Sequence, residues 1–297
     1  MNSPDRTVSG PTGGVALAFL AAAISGLAVF VNGYGVRAVK DATVYTTAKN
    51  LVAAAILVAV ALAVRSVRPQ TVPRGKRLAL LGIVALIGGS MPFVLFFEGL
   101  ARASSTHAAF IHKTLFLWVA ILAVPLLGER LRAAHLLAAG LLIGGLLALE
   151  GGLDGFSLAG GELLILAATL LWAAETVVVK RLLNDVAPMT VALARMGIGS
   201  AALVAWVAIS GRWDALSSLG ATGWLWAAAT GAILGCYVLT WFTALARAQA
   251  VDVTAILVAG AVITALLKGT PQTGLILIAA GALAVAASTR RRRLEFG

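Results

Sequence analysis

The sequence is short of charge. Only 12% of its 297 residues are Asp, Glu, Lys or Arg, against roughly a quarter in soluble domains. With 60% hydrophobic residues and a mean hydropathy of +0.98, the chain needs an apolar solvent, which excludes an ordinary soluble fold. Cysteine occurs once, as Cys236 inside an apolar run. An intramolecular disulfide and a multi-cysteine metal site are therefore excluded. Histidine is also scarce. His107 and His112 stand five apart with no carboxylate close in the sequence, which makes a poor metal-ligand set. Period-two alternation is missing, so barrel strands are excluded too. The sequence has no HExxH, no clustered Asp pair for a metal-bound pyrophosphate and no nucleophile–base constellation. That argues against a membrane-embedded enzyme, and no cofactor is implied. The net charge of +11 comes from short basic clusters between apolar runs, the pattern of membrane-flanking loops and not of a nucleic-acid surface.

What is present is a series of apolar runs near the spanning length of about 20 residues. They fall at about 14–33, 42–64, 78–97, 105–127, 133–149, 158–179, 189–209, 223–245, 253–268 and 273–288. Ten transmembrane helices are expected, because lipid-exposed backbone must satisfy its own polar groups within each segment. Arg6 precedes the first run in the manner of a signal peptide, but that run is too long for a typical cleaved leader and reads as an uncleaved first span. With the N-terminus inside, fifteen of the 23 Lys and Arg residues fall in inner segments. Five fall outside (Arg37, Lys40, Arg102, Arg212, Lys268) and three within spans. This bias predicts that both termini are cytoplasmic. Arg290 to Arg293 close the chain as a basic tail facing anionic lipid.

The runs also repeat. Phe97-Glu-Gly-Leu-Ala-Arg-Ala103 returns as Phe242-Thr-Ala-Leu-Ala-Arg-Ala248, Lys49 matches Arg195, and Ser25-Gly26 matches Trp172-Ala173. Residues 1–152 and 153–297 are thus expected to be two copies of one five-helix unit. Five is odd, so the second copy must be inverted, with a substrate site near the midplane between the copies.

Three cations lie inside spans: Lys49, Lys113 and Arg195. Lys49 and Arg195 can snorkel, pair structurally, or reach a shared cavity from opposite faces. Lys113 is the deepest, and Val258 stands at its equivalent position. It either pairs with Glu98 or Glu175 or meets substrate, with His112 beside it. A central Lys costs at least about 2.5–3.5 kcal/mol on insertion scales, so it needs a partner of one kind or the other. Glu175 is the candidate coupling residue, read against a plain interfacial pair along its own helix. Pro92 in Gly88-Gly-Ser-Met-Pro92, and Gly231 with Gly235, are candidate kinks at matching depth. Tyr237 and Trp241, four apart, can stack a ligand or simply pack. Three deep cations against one clear deep anion favour an anionic or zwitterionic substrate.

Together these features resemble the EamA-type permeases of the drug/metabolite transporter superfamily. The resemblance is carried by ten helices in two halves, a cation early in the second helix of each half, and Leu127-Gly-Glu-Arg130 ending the fourth helix. It implies a secondary transporter of small metabolites, often an exporter, in the plasma (inner) membrane. It also implies Lys49 and Arg195 as the basic positions and Glu129 as the acidic one. Leu267-Lys-Gly-Thr270 replaces that motif in the second copy and lacks the Glu. Implied partners are a small molecule and membrane lipids, with protons as a candidate coupling ion and a homodimer as a candidate assembly. A membrane-embedded enzyme and a non-transporting helical scaffold are the alternatives.

Overall fold

The computed structural model describes residues 11–69, 73–100, 102–103, 105–149, 158, 160–269 and 273–296. The junction expected near 152 and 153 lies outside them. All regular structure among the described residues is helical: α1 (Pro11–Val39), α2 (Ala42–Ala63), α3 (Lys76–Gly89), α4 (Met91–Leu100), α5 (Ser105–Lys113), α6 (Leu115–Leu127) and α7 (Ala133–Leu149), then α8 (Gly161–Leu182), α9 (Pro188–Ile209), α10 (Trp213–Ser217), α11 (Ala221–Arg247), α12 (Ala250–Leu257), α13 (Gly260–Leu267) and α14 (Thr273–Phe296). Among the described residues eight stretches are long and apolar enough to cross a membrane, three of them formed by consecutive helices: α3–α4, α5–α6 and α12–α13. Two shorter apolar stretches, His135–Gly145 and Gly274–Thr289, lie in α7 and α14. α14 continues beyond the expected tail boundary, through Arg293 to Phe296.

The repeat is visible in the packing. Gly14, at the start of α1, lies so close to the end of α11 that an added Cβ would sit 2.8 Å from Ala248 Cβ. Gly161, at the start of α8, approaches the end of α4 in the same way, 2.7 Å from the Ala103 nitrogen. Ala103 and Ala248 are the last residues of the repeated Phe-to-Ala segment, so one contact is made twice. The two versions sit at opposite ends of the bundle. The α1 version shares its end with the Ser288 region of α14, to which the start of α7 is tied by Arg132 Nη1 donating to the Ser288 carbonyl at 2.6 Å. The α8 version shares its end with the start of α2, where Arg212 joins Glu98 to Asp41. We call these the termini face and the far face. α1 and α8 therefore run in opposite directions, as an inverted pair requires. α7 and α14 pack closely on each other: a Cβ on Gly145 would meet the Gly274 carbonyl at 2.7 Å, and one on Gly281 the Ala138 carbonyl at 3.1 Å.

Two features bear on the sequence reading. The segment with Gly231 and Gly235, expected to loosen the eighth run, lies within a single helix, α11, that is continuous from Ala221 to Arg247. Gly231 serves packing there: its Cβ would lie 2.7 Å from the Lys49 carbonyl, so the glycine lets α2 and α11 touch through their backbones. Conversely, the fourth and ninth runs, read as single helices, are each interrupted at the same place in the repeat. One break is at Thr114 between α5 and α6, the other at Val258–Ala259 between α12 and α13. Thr114 explains the first, because its hydroxyl donates to the Ile111 carbonyl at 2.6 Å and competes with the helical ladder. At the second, Ala261 and Val262 bond back three residues, to Val258 and Ala259.

Candidate functional site

The break between α3 and α4 sets up the first half of the site. In a continuous helix the Gly88 carbonyl would accept from the nitrogen of residue 92, which is proline and has no hydrogen. The orphaned oxygen turns to side chains from the other repeat. Arg195 Nη2 donates to it at 3.0 Å and Trp172 Nε1 at 3.1 Å. Arg195 Nε also donates to Glu175 Oε1 at 2.6 Å, and Nη1 approaches the Met196 sulfur at 3.3 Å. Both ions are buried, Arg195 at 8% and Glu175 at 5% exposure. Gly88 makes room for this pair, since a Cβ there would overlap the Glu175 carboxylate and displace it. Glu175 is thus paired with Arg195.

Around this pair stands an aromatic wall. Trp172 lies 5.4 Å from Phe93, 5.8 Å from Phe96 and 4.9 Å from His112, centroid to centroid. The Arg195 guanidinium sits 5.9 Å from the Phe93 ring centroid. The His112 Nδ1 atom is buried and has no hydrogen-bond partner among the described residues. Lys113 follows it as the last residue of α5, half-buried and engaged within the protein. Tyr237 stacks on Trp241 at 6.1 Å and lies within electrostatic range of both Arg195 and Glu175. Trp241 is a core residue, 7% exposed. The structure therefore gathers Arg195, Glu175, Pro92, His112 and Tyr237 around one centre.

Lys49, the counterpart of Arg195, has different surroundings. Its Nζ donates to Asn32 Oδ1 at 3.2 Å and lies 5.4 Å from the Tyr45 ring centroid. The Tyr45 hydroxyl lies 2.9 Å from both Asn32 Oδ1 and Thr230 Oγ1, tying α1, α2 and α11 together. Lys49 is 8% exposed. The alignment that pairs Ser25 with Trp172 puts Ala28 opposite Glu175. Among the described residues no carboxylate pairs with Lys49, so one repeat neutralises its buried cation and the other leaves it to neutral groups. Gly235 faces α2 with room to spare, its added Cβ meeting the Ala53 carbonyl at 3.7 Å.

The two faces of the bundle are fastened differently. At the termini face, Gly128 ends α6 in the left-handed region (φ +68°), which suits glycine. The turn places Glu129 over the start of α12, where its carboxylate accepts from the Ala250 and Val251 amides at 2.6 and 3.0 Å. Lys180 donates to the Leu245 and Ala248 carbonyls at 2.6 and 2.7 Å, capping α11, and Arg181 donates to the Leu126 carbonyl near the end of α6. Each is an ion placed at the complementary end of a helix dipole, worth roughly 0.3–2 kcal/mol. At the far face, Arg212 reaches Glu98 at 3.3 Å and Asp41 at 3.6 Å with side chains about a third exposed, and water screens such pairs. His107 meets Glu162 at 3.3 Å there, a carboxylate that sequence proximity did not reveal. The halves of the interrupted helices also part: α5 and α6 both pack on α8, and α12 and α13 both pack on α1, but only α6 and α12 pack closely on each other among the described residues.

Asn32, Tyr45, Thr230 and Trp172 were not foreseen as site residues. Pro92 announces a free carbonyl four residues earlier, at Gly88, but only the structure shows that Trp172 donates to it.

Comparison with known proteins gives the same architecture. Two segments, residues 12–150 and 159–270, match the model of the EamA-like transporter family. A protein known from a crystal structure is 23% identical, with a TM-score of 0.73 over 93% of this chain and 98% of that one, which shows a shared fold. No curated protein sequence matches the chain.

Proposed function

Since the chain belongs to the EamA-like transporter family, we propose that it is a secondary active exporter of a small organic anion or zwitterion, working by alternating access. The observation that carries the substrate charge is the contrast between Arg195, paired with Glu175, and Lys49, which among the described residues is held by Asn32 and an aromatic ring. A buried cation without a counterion costs several kcal/mol, and a substrate carboxylate or phosphate arriving at Lys49 offsets that cost. Arg195 and Glu175 hold the opposite wall, and His112, with its open nitrogen, offers a neutral polar contact. Lys113 recedes from first place because it is engaged within the protein.

In this reading α7 and α14 also cross, giving ten spans, with residues 1–152 and 153–297 as the inverted repeats. The termini face is cytoplasmic and the membrane is the plasma (inner) membrane. Support for the orientation comes from the basic clusters at Arg65–Arg77, Arg130–Arg132 and Lys180–Arg181, which lie in segments at that face. The fastened termini face and the parted α5 and α13 correspond to an outward-open state. The protein binds and moves its substrate without altering it. Purified protein in a thermal-shift screen of organic acids, amino acids and cationic drugs tests the reading, because a ligand stabilises in proportion to ln(1+[L]/Kd). Stabilisation by an anion or zwitterion, lost in Lys49→Met, supports it. Stabilisation by cations alone contradicts it.

A further inference from the structure

A second buried polar cluster lies away from the site just described, where α7, α12 and α14 meet at the termini face. Asp252, in the first turn of α12, is 2% exposed, and His135, in the first turn of α7, is 5% exposed. His135 Nε2 is 2.6 Å from Asp252 Oδ1. Arg132 Nη2 donates to the same oxygen at 3.2 Å, and Thr289 Oγ1 is 3.2 Å from Asp252 Oδ2. The Arg132 backbone N–H donates to His135 Nδ1 at 3.0 Å. That last contact fixes the protonation state. Nδ1 accepts, so the ring is neutral and its one proton sits on Nε2, donated to Asp252.

We infer that His135 and Asp252 form a proton-binding site whose loading releases the termini-face latch. The chain of consequence is short. A proton entering the ring goes to Nδ1, the one ring nitrogen that carries no hydrogen, and abolishes its capacity to accept from the Arg132 N–H. The Arg132 N–H then loses its partner. The imidazolium becomes the counterion of Asp252, while the Arg132 guanidinium, its Nη2 only 3.3 Å from His135 Nε2, faces a like charge. One ion pair, Arg132–Asp252, is exchanged for another, His135–Asp252, and the linker carrying Arg132 is pushed away. Glu129 stands three residues earlier on that linker and holds the α12 amides. Displacing the linker therefore withdraws the cap that joins α6 to α12.

The surroundings are consistent with such a site. Glu129 faces it from the linker and Lys180, which feels the charges of Glu129 and Asp252, from α8. α14 contributes Thr289 and the Ser288 carbonyl. From α6 the imidazole meets apolar groups, lining with Phe116 and Val124 a cavity of about 470 Å³. Proton binding here does not depend on the substrate proposal. If transport is confirmed, it supplies the coupling step that Glu175, tied to Arg195, is poorly placed to supply.

Hydrogen exchange on the intact protein in nanodiscs tests this, reading the peptide that contains Ala250 and Val251 and correcting for the intrinsic pH dependence of exchange. Protection should fall by about ten-fold or more when the buffer is taken from about pH 8 to about pH 5.5, the interval in which histidine is the side chain that ordinarily changes charge. In His135→Gln, whose side chain cannot take up a proton in this range, protection should not change with pH. Constant protection in the wild type, or a fall of equal size in His135→Gln, overturns the inference. Should His135→Gln not fold, nitrogen NMR of 15N-histidine wild-type protein still decides. The inference expects a ring protonated on Nε2 at high pH that gains a proton on Nδ1 within the same window. A His135 ring that holds one state throughout refutes it.

Discussion

Replacing Glu175 with glutamine removes a charge and almost no volume. The Arg195 guanidinium, 8% exposed, would keep the Gly88 carbonyl and the Met196 sulfur but lose its counterion. Orphaning one partner of a buried ion pair costs about 3–5 kcal/mol. Gln can still accept one neutral hydrogen bond, so the lower end, roughly 3 kcal/mol, is expected. The double change Glu175→Leu with Arg195→Met should recover most of that loss, because a buried pair exchanged for apolar side chains of similar size is often neutral or better. Lys49→Met is the control. It orphans no carboxylate, and deep-span Lys costs about 2.5–3.5 kcal/mol on insertion scales, so stability should hold or rise. Equilibrium unfolding of all four proteins in mixed micelles gives the comparison. Wild-type stability in Glu175→Gln, or an equal loss in Lys49→Met, would refute the division of the two cations into one paired and one awaiting substrate.

Other consequences are quicker to check. Gly88→Ala pushes a methyl group into the Glu175 carboxylate and should destabilise by an amount comparable to Glu175→Gln, read in the same unfolding assay. Gly235→Ala should stay within about 0.5 kcal/mol of wild type, while Gly231→Ala, which meets the Lys49 carbonyl, should lose more than about 1 kcal/mol. Glu129→Gln should cost about 1 kcal/mol of stability, whereas Arg212→Gln at the exposed far face should cost less than that. Reporter fusions after Arg77 and within the α9–α10 turn at Arg212 should report opposite sides of the membrane; the same side for both would remove the inverted arrangement.

Much of this fold is written in hydropathy, since lipid forces each apolar run to close its own hydrogen bonds. The inversion was readable because five runs per copy leave no alternative once the Phe-to-Ala segment is seen twice. The pairing of Arg195 with Glu175 was not readable. Their separation of 20 residues crosses a helix junction, and which side chains meet depends on how α8 and α9 are rotated. The packing role of Gly231 was not readable, because in a membrane glycine serves close packing as readily as bending. The interruption at Val258–Ala259 was hidden because it lies in uniformly apolar sequence where helix propensity says little, and the one at Thr114 because His112 and Lys113 before it stand out for their chemistry and not as a helix end. His135 with Asp252 went unnoticed because 117 positions separate them and neither belongs to a motif.

The central claim is that Lys49 receives the negative charge of a transported substrate. Proteoliposomes holding wild-type protein or Lys49→Met, loaded with a panel of radiolabelled organic acids and zwitterions, test it directly. At least one compound should leave wild-type vesicles by a saturable route, and Lys49→Met, still folded and monodisperse, should lose that flux. Undiminished flux through Lys49→Met would contradict the claim.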